Sequence, residues 1–506
     1  MRVGDANRRE AMMSGDDAGV VVPADPGGRR SSLVLGRAVV ADALRGVDAV
    51  GALRAEHEAN WRRGYLVHFR RVLEVGLASR QAAVTIAADG LHAVHRRMHY
   101  RQSDGREVAL DAMLHDRPGA ALCTVEIRGT GAPEAGFSLP FRGERLSGDA
   151  LARRLDSWAE AGALEPSAAD RVRTVMAHPE WLRLDGQTVA VLGADAEMGP
   201  LPALLGWGAR VAAVDLPRPE VWRRLLATGR DGAGTLLVPV DADLSAGADS
   251  TAIAAHAGLD LVTDLGAATE WLRSLPGRVV LGNYVYADGV TNLRVCAAVD
   301  SLTLSVQRDR SDLALAFLAT PTDVFAIPPD AVAHARRAYE NRSRPVRLLE
   351  LPVRTMSAGR LLRPQYESDR QPGIHDALVP QQGPNYALAK RLQRWRATVA
   401  RDAGSIVSLN VAPPTRTRSV LTNRALAAAY ASAHHFAVEV FDPATANTLM
   451  AALLVADLNT GGGPPHQHPW QDEAYAAIHG GLWRAPYQPR SALALAAILG
   501  YHAART

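Results

Sequence analysis

Thr188-Val-Ala-Val-Leu192-Gly193-Ala194-Asp195-Ala-Glu-Met198-Gly199 is an apolar run of buried-strand length that ends in a glycine turn. Leu201–Leu205 then continues as an apolar helix, and Gly208-Ala-Arg-Val-Ala-Ala-Val-Asp215 reads as a second strand with an acid at its tip. Strand, glycine turn, helix and strand with short connections make a right-handed parallel β-α-β pair. A diphosphate needs backbone N–H groups at such a turn, with glycine where the chain must pass close. Gly193, Ala194, Asp195, Met198 and Gly199 are therefore the expected phosphate turn. They match the first and last glycines of G-x-x-x-G-x-G, with Glu197 in the middle place. Asp215 is placed to accept hydrogen bonds from ribose hydroxyls and to repel a 2′-phosphate, which favours NAD over NADP.

The same alternation runs downstream. Helices are expected at Pro219–Thr228, Leu265–Leu275, Val290–Gln307 and Tyr386–Asp402. Strands are expected at Thr235–Val240, just before Asp241, and at Arg278–Gly282, Leu313–Thr320 and Ser405–Val411. This βα repeat predicts a doubly wound parallel α/β domain over about 184–440. It is interrupted over about 325–383 by a Pro- and Arg-rich insertion in which only Val346–Val353 looks strand-like. Upstream, 31–183 reads as a mostly helical N-terminal domain, apart from a strand-like Ala121–Ile127. Residues 1–30 read as a disordered leader without a signal peptide, and 441–506 as a C-terminal helical extension packed on the main domain.

Composition narrows the partners. The chain has 506 residues, 47% hydrophobic and 22% charged, with a formal net charge of +3. The basic excess is spread without a run, so nucleic acid is not an expected partner. Cys123 and Cys296 make no disulfide framework, which points to a reducing, cytoplasmic setting. The longest apolar runs fall short of the ~18 residues of a membrane span. His92, His95 and His99 share helical spacing. They are read as a solvated helix face, because no carboxylate or Cys completes a metal set. His434-His435 and His466-Gln-His468 are read as helix-end and loop histidines, so no metal is expected.

The chemistry centres on one residue. Of 56 Lys and Arg residues, Lys390 is the sole lysine, and Tyr386 stands one helical turn before it. A phenol with a pKa near ~10 is a poor base at neutral pH, and a cation close by lowers it into working range. A compact ammonium does this differently from a forked guanidinium. About 25 residues on, Asn410-Val-Ala-Pro413-Pro414-Thr415-Arg-Thr417 is a strand end running into a proline turn.

The stretch from about Thr188 to Val420 resembles the short-chain dehydrogenase/reductase superfamily. The matching parts are the Gly193…Gly199 turn, Asp215, Asp241, Tyr386-x-x-x-Lys390 and the Pro413–Thr417 turn. The resemblance implies a Rossmann-like fold, with Tyr386 as acid/base and Lys390 as its activator and ribose ligand. It likens Asp241 to the acid near the adenine, and puts Thr415 or Thr417 on the nicotinamide amide, over the turn at Pro413. Asn283 stands where the family has Asn-Asn-Ala-Gly, and Asn292 stands in for the proton-relay Asn. The family's catalytic serine has no direct match: Gly373 is at its distance from Tyr386, and Ser368 is the nearest serine upstream. With the insertion following the fifth strand, Thr320 or Thr322 supplies the hydroxyl.

The function expected is interconversion of an alcohol and a carbonyl with NAD, in a homo-oligomer, on a small-molecule substrate that is large and apolar. Two alternatives remain open: an epimerase or dehydratase that retains its NAD, and a nucleotide-binding scaffold or sensor with degenerate catalysis.

Overall fold

The computed structural model describes residues 18–114, 121–245, 247–366 and 371–501. Most of the expected leader, and Ser368, lie outside them. The central sheet has seven strands: β1 (Leu122–Arg128), β2 (Gln187–Leu192), β3 (Arg210–Val214), β4 (Thr235–Asp241), β5 (Arg278–Asn283), β6 (Ala314–Ala319) and β7 (Val407–Val411). Their order is β7-β6-β5-β2-β3-β4-β1. All neighbours pair in parallel except β1, which runs antiparallel to β4 from Leu122 opposite Asp241 to Arg128 opposite Thr235. The fold is thus α/β with a mixed, mostly parallel sheet, and the order of its parallel strands is compatible with a Rossmann-like fold.

Both faces of the sheet are buried, which is why these strands are continuous apolar runs and not alternating ones. Val189, Val191, Val211 and Ala213 enter one core, where the helices Leu201–Gly206, Pro219–Asp231, Pro166–Ala177 and Pro443–Asn459 pack. Ala190, Leu192, Ala212 and Val214 enter the other. There the helices Leu265–Ser274, Gly289–Asp309 and Pro384–Asp402 meet helices from the first hundred residues. Each fully buried Leu or Val side chain contributes roughly 1.5–3 kcal/mol. Pro443–Asn459 is apolar on every side and buried along most of its length, as a helix at the centre of a core must be.

Several expectations change. The core does not respect boundaries at 184 and 441. β1 comes from the N-terminal third, and both apolar clusters draw on residues before 184, while the second takes in Pro443–Asn459. Gly19–Val21, inside the expected leader, is a buried strand paired with His99–Arg101. Val346–Val353 is not a strand but part of the helix Arg344–Met356. The insertion is tied at its base by two antiparallel strands, Val324–Ile327 and Gly373–Asp376. His95 is not on a solvated face: it is buried, its Nε2 2.7 Å from Asp300 Oδ2, and Arg396 grips the same carboxylate at 2.7 and 2.8 Å.

Candidate active site

A cleft of about 1250 Å³ opens at the C-terminal ends of β2, β3, β5, β6 and β7. It spans the point between β2 and β5 where the chain order of the parallel strands reverses, the position where open α/β sheets bind ligands. Of the expected residues it brings together Gly193, Asp195, Met198, Asp215, Asn283, Thr320, Thr322, Tyr386, Lys390, Pro413, Thr415 and Thr417.

The glycine turn sits at one end. Gly193 has φ +81°, and a Cβ there would stand 3.0 Å from the Tyr284 carbonyl oxygen, so only glycine fits both the turn and the close strand. Within the turn, the amides of Gly193 and Ala194 donate to the Val214 carbonyl (2.9 and 3.1 Å), and that of Gly199 donates to Ala196 (2.8 Å). The Asp195 amide donates to Asp215 Oδ2 at 2.8 Å. The amides of Glu197 and Met198, both on the cleft wall, have no partner among the described residues. Two acids stand close by and both are engaged. Asp195 is paired with Arg224 at 2.5 Å, and Glu197 accepts from the Arg418 amide at 2.8 Å with the Arg418 guanidinium 3.3 Å away. Pro200 and Pro202 flank the start of the following six-residue helix, so the turn, more than the helix, supplies free donors here. Asp215 also accepts from Leu216 N at 2.8 Å; burial raises its pKa while these two amides pull it down.

Tyr386 and Lys390 stand on the helix Pro384–Asp402 at the other end. Burial pushes the Tyr386 phenol above its ordinary range, and the Thr320 hydroxyl beside it pulls the other way without offsetting burial. Thr320 Oγ1 lies 2.9 Å from Thr322 Oγ1, which accepts from Gln382 Nε2 at 2.8 Å. Two hydroxyls and an amide thus form a chain beside the phenol. The Tyr286 ring meets Tyr386 edge-on at 6.4 Å. The Lys390 ammonium donates to the Leu318 carbonyl (3.2 Å) and to Gln393 Oε1 (3.1 Å), and Gln393 in turn donates to Asn283 Oδ1 (3.1 Å). Burial lowers the Lys390 pKa.

What holds these parts in register is a buried ion network. Arg391 and Arg394, on the helix that carries Tyr386, grip Asp323 at 3.1 and 2.6 Å. Asp323 follows Thr322 directly, so the grip fixes the loop bearing Thr320 against the helix. Arg394 is itself clamped by Glu473 at 2.7 and 2.5 Å.

Four expected residues fall elsewhere. Ala194 is buried beneath the turn, its amide held by Val214. Gly199 does not line the cleft, and its amide closes the turn. Asp241 is exposed at the end of β4 and faces His256 at 3.4 Å; the segment Leu259–Thr263 forms the cleft wall instead. Asn292 is buried off the cleft and accepts from the Ala287 amide at 3.1 Å, bracing the loop after β5. Residues that sequence reasoning missed are Gln382, Tyr430 and the tail residues Leu482, Tyr487 and Leu493 on the cleft wall, and Gln393, which joins Lys390 to Asn283. The i, i+3 pair Arg391 and Arg394 behind Lys390 was the one available signal for the ion network. No helix of the described residues is long and apolar enough to cross a membrane.

No family model and no curated protein matches the chain. Among solved structures it is similar to a thiolation-reductase di-domain from an archaeal non-ribosomal peptide synthetase, at 13% identity and a TM-score of 0.26, over 49% of this chain and 50% of that one.

Proposed function

We propose that the protein is an oxidoreductase of the short-chain dehydrogenase/reductase type, with a doubly wound nucleotide-binding sheet, that interconverts an alcohol and a carbonyl. The observation that carries this reading is that Tyr386, Lys390 and Thr320 line one cleft with the glycine turn and Asp215. The residues present fit NAD. The free amides of Glu197 and Met198 would hold the diphosphate, and Asp215 the adenosine ribose. Lys390 and Asn283 would hold the nicotinamide ribose, and the Pro413–Thr417 turn the amide. When bound, the nicotinamide supplies or accepts hydride at the substrate carbon.

The rest is done by the chain's own groups. In the reductive direction Tyr386 donates its phenolic proton to the carbonyl oxygen as charge develops there. Thr320 donates to the same oxygen or to the phenolate that remains, which lowers the cost of leaving a charge in a buried site. The Thr322–Gln382 chain fixes the direction in which the Thr320 hydroxyl points. Beyond the tyrosine the wall is apolar, built from Leu426, Tyr430, Phe436, Leu482, Leu493 and Ala496. It supports a substrate whose bulk is apolar and whose reacting oxygen reaches Tyr386.

The test is titration of the chain with NAD and NADP, followed by turnover of apolar ketones and alcohols. Tyr386→Phe and Thr320→Val should bind NAD as the unaltered chain does, and each should lose turnover by about 10²-fold or more. Full turnover in Tyr386→Phe would refute the assignment.

A further inference from the structure

We propose that the helix Arg344–Met356 is a docking surface for an anionic membrane. The helix rises from the insertion and turns an apolar face outward. Leu348 is 70% exposed, Leu349 75%, Leu351 61% and Met356 89%. With 3.6 residues per turn, Pro345, Leu348, Leu349, Pro352 and Met356 fall on one side. Such a face is costly in water, and a folded chain keeps one only where it meets something apolar.

Charge identifies what it meets. From 342 to 363 the chain has six arginines and one carboxylate, Glu350. Glu350 is buried and turned inward, bonded to the Tyr487 hydroxyl and paired with Arg342 at 3.2 Å. Arg344, Arg347, Arg354 and Arg360 make no ion pair among the described residues. An outward apolar face flanked by unpaired arginines is the pattern of a helix lying in the headgroup layer of an anionic bilayer. A second copy of this chain would have to bury those charges against a surface carrying matching acids, and this face carries none.

The position adds to the case. Tyr487, which anchors Glu350, lines the apolar end of the cleft. Val353 packs in one small cluster with Leu362, Phe436 and Leu495, and the helix bearing Leu495 exposes Ile498 and Leu499 as well. A membrane held by Arg344–Met356 would therefore lie beside the part of the protein that walls the apolar cleft.

The experiment is co-sedimentation of the full chain with vesicles of phosphatidylcholine, with and without phosphatidylglycerol, at low and high salt. Binding is expected only with phosphatidylglycerol and should weaken with salt. It should fall about fivefold for each arginine lost in Arg344→Gln/Arg347→Gln, and roughly tenfold for each leucine lost in Leu348→Ser/Leu349→Ser. These side chains are exposed, so unchanged thermal melting will show that the variants fold. Equal binding to neutral vesicles, binding untouched by either pair of substitutions, or no binding at low salt overturns the proposal. A concentration-dependent dimer abolished by the leucine pair, without vesicle binding, overturns it in favour of a second copy.

Discussion

Replacing Arg394 by Met tests whether the buried ions lock the helix that carries Tyr386 to the loop that carries Thr320. Arg394 is 2% exposed and joins Asp323 at 2.6 Å to Glu473 at 2.5 Å. Burial lowers its pKa, but Glu473 and Asp323 outweigh that and raise it overall. Methionine keeps most of the volume and removes the charge. Asp323 retains Arg391, whereas Glu473 loses the one ion-pair partner it has among the described residues. Removing one partner of a buried pair costs about 3–5 kcal/mol, most of it the penalty of the orphaned ion.

The loss belongs to the carboxylate left buried without its guanidinium, so removing that carboxylate as well must restore stability. Urea unfolding followed by circular dichroism at neutral pH reads the difference. Arg394→Met/Glu473→Met should recover much of what Arg394→Met loses. A deficit below about 1 kcal/mol in Arg394→Met, or no recovery in the double variant, would refute the reasoning.

Three further outcomes are expected. Gly193→Ala places a Cβ at φ +81° and 3.0 Å from the Tyr284 carbonyl, so it should cost about 1–3 kcal/mol, seen as a lower melting temperature and weaker NAD binding. Asp215→Ser removes the carboxylate that would repel a 2′-phosphate, so competition titrations should move toward NADP; an unchanged preference would mean Asp215 serves only the Asp195 amide. The third concerns acid stability. Burial works against Glu165, but His479 and Arg484 bring its pKa to about 2 from an ordinary 4.5. Its contribution is therefore full above about pH 4.5 and is lost between about 4.5 and 2, amounting to about 3 kcal/mol. Glu165→Gln should be less stable at neutral pH and should show a shallower fall over that window in acid melts.

Much of the frame was legible because parallel strands buried on both faces are unbroken apolar runs. Thr188–Leu192 and Leu313–Thr320 lie within a residue or two of β2 and β6. The resemblance's place for a hydroxyl after the fifth strand led to Thr320 or Thr322, and both line the cleft. Where reasoning went astray, the deciding partner was distant in sequence. Nothing near His95 says that Asp300 and Arg396 will meet it, and nothing near Asn292 says that it will brace Ala287. Asp241 follows the pattern of an adenine contact, yet the Leu259–Thr263 segment takes that wall. Val346–Val353 misled because its apolar residues run nearly unbroken, and most of them stay exposed on the helix Arg344–Met356.

The edge strand β1 has a consequence for how the chain can be cut. Its seven residues pair with β4, which lies roughly a hundred residues away along the chain, and close an edge that would otherwise present a row of free backbone donors and acceptors. A chain begun at 184 would keep the whole parallel sheet yet leave β4 open along its length. That polypeptide would hold the glycine turn, Tyr386 and Lys390, with the apolar β4 as its edge in place of β1, whose outward side chains include Glu126 and Arg128. A chain cut at 184 should therefore aggregate more readily than the whole one, and the N-terminal third belongs in any assay of the cleft.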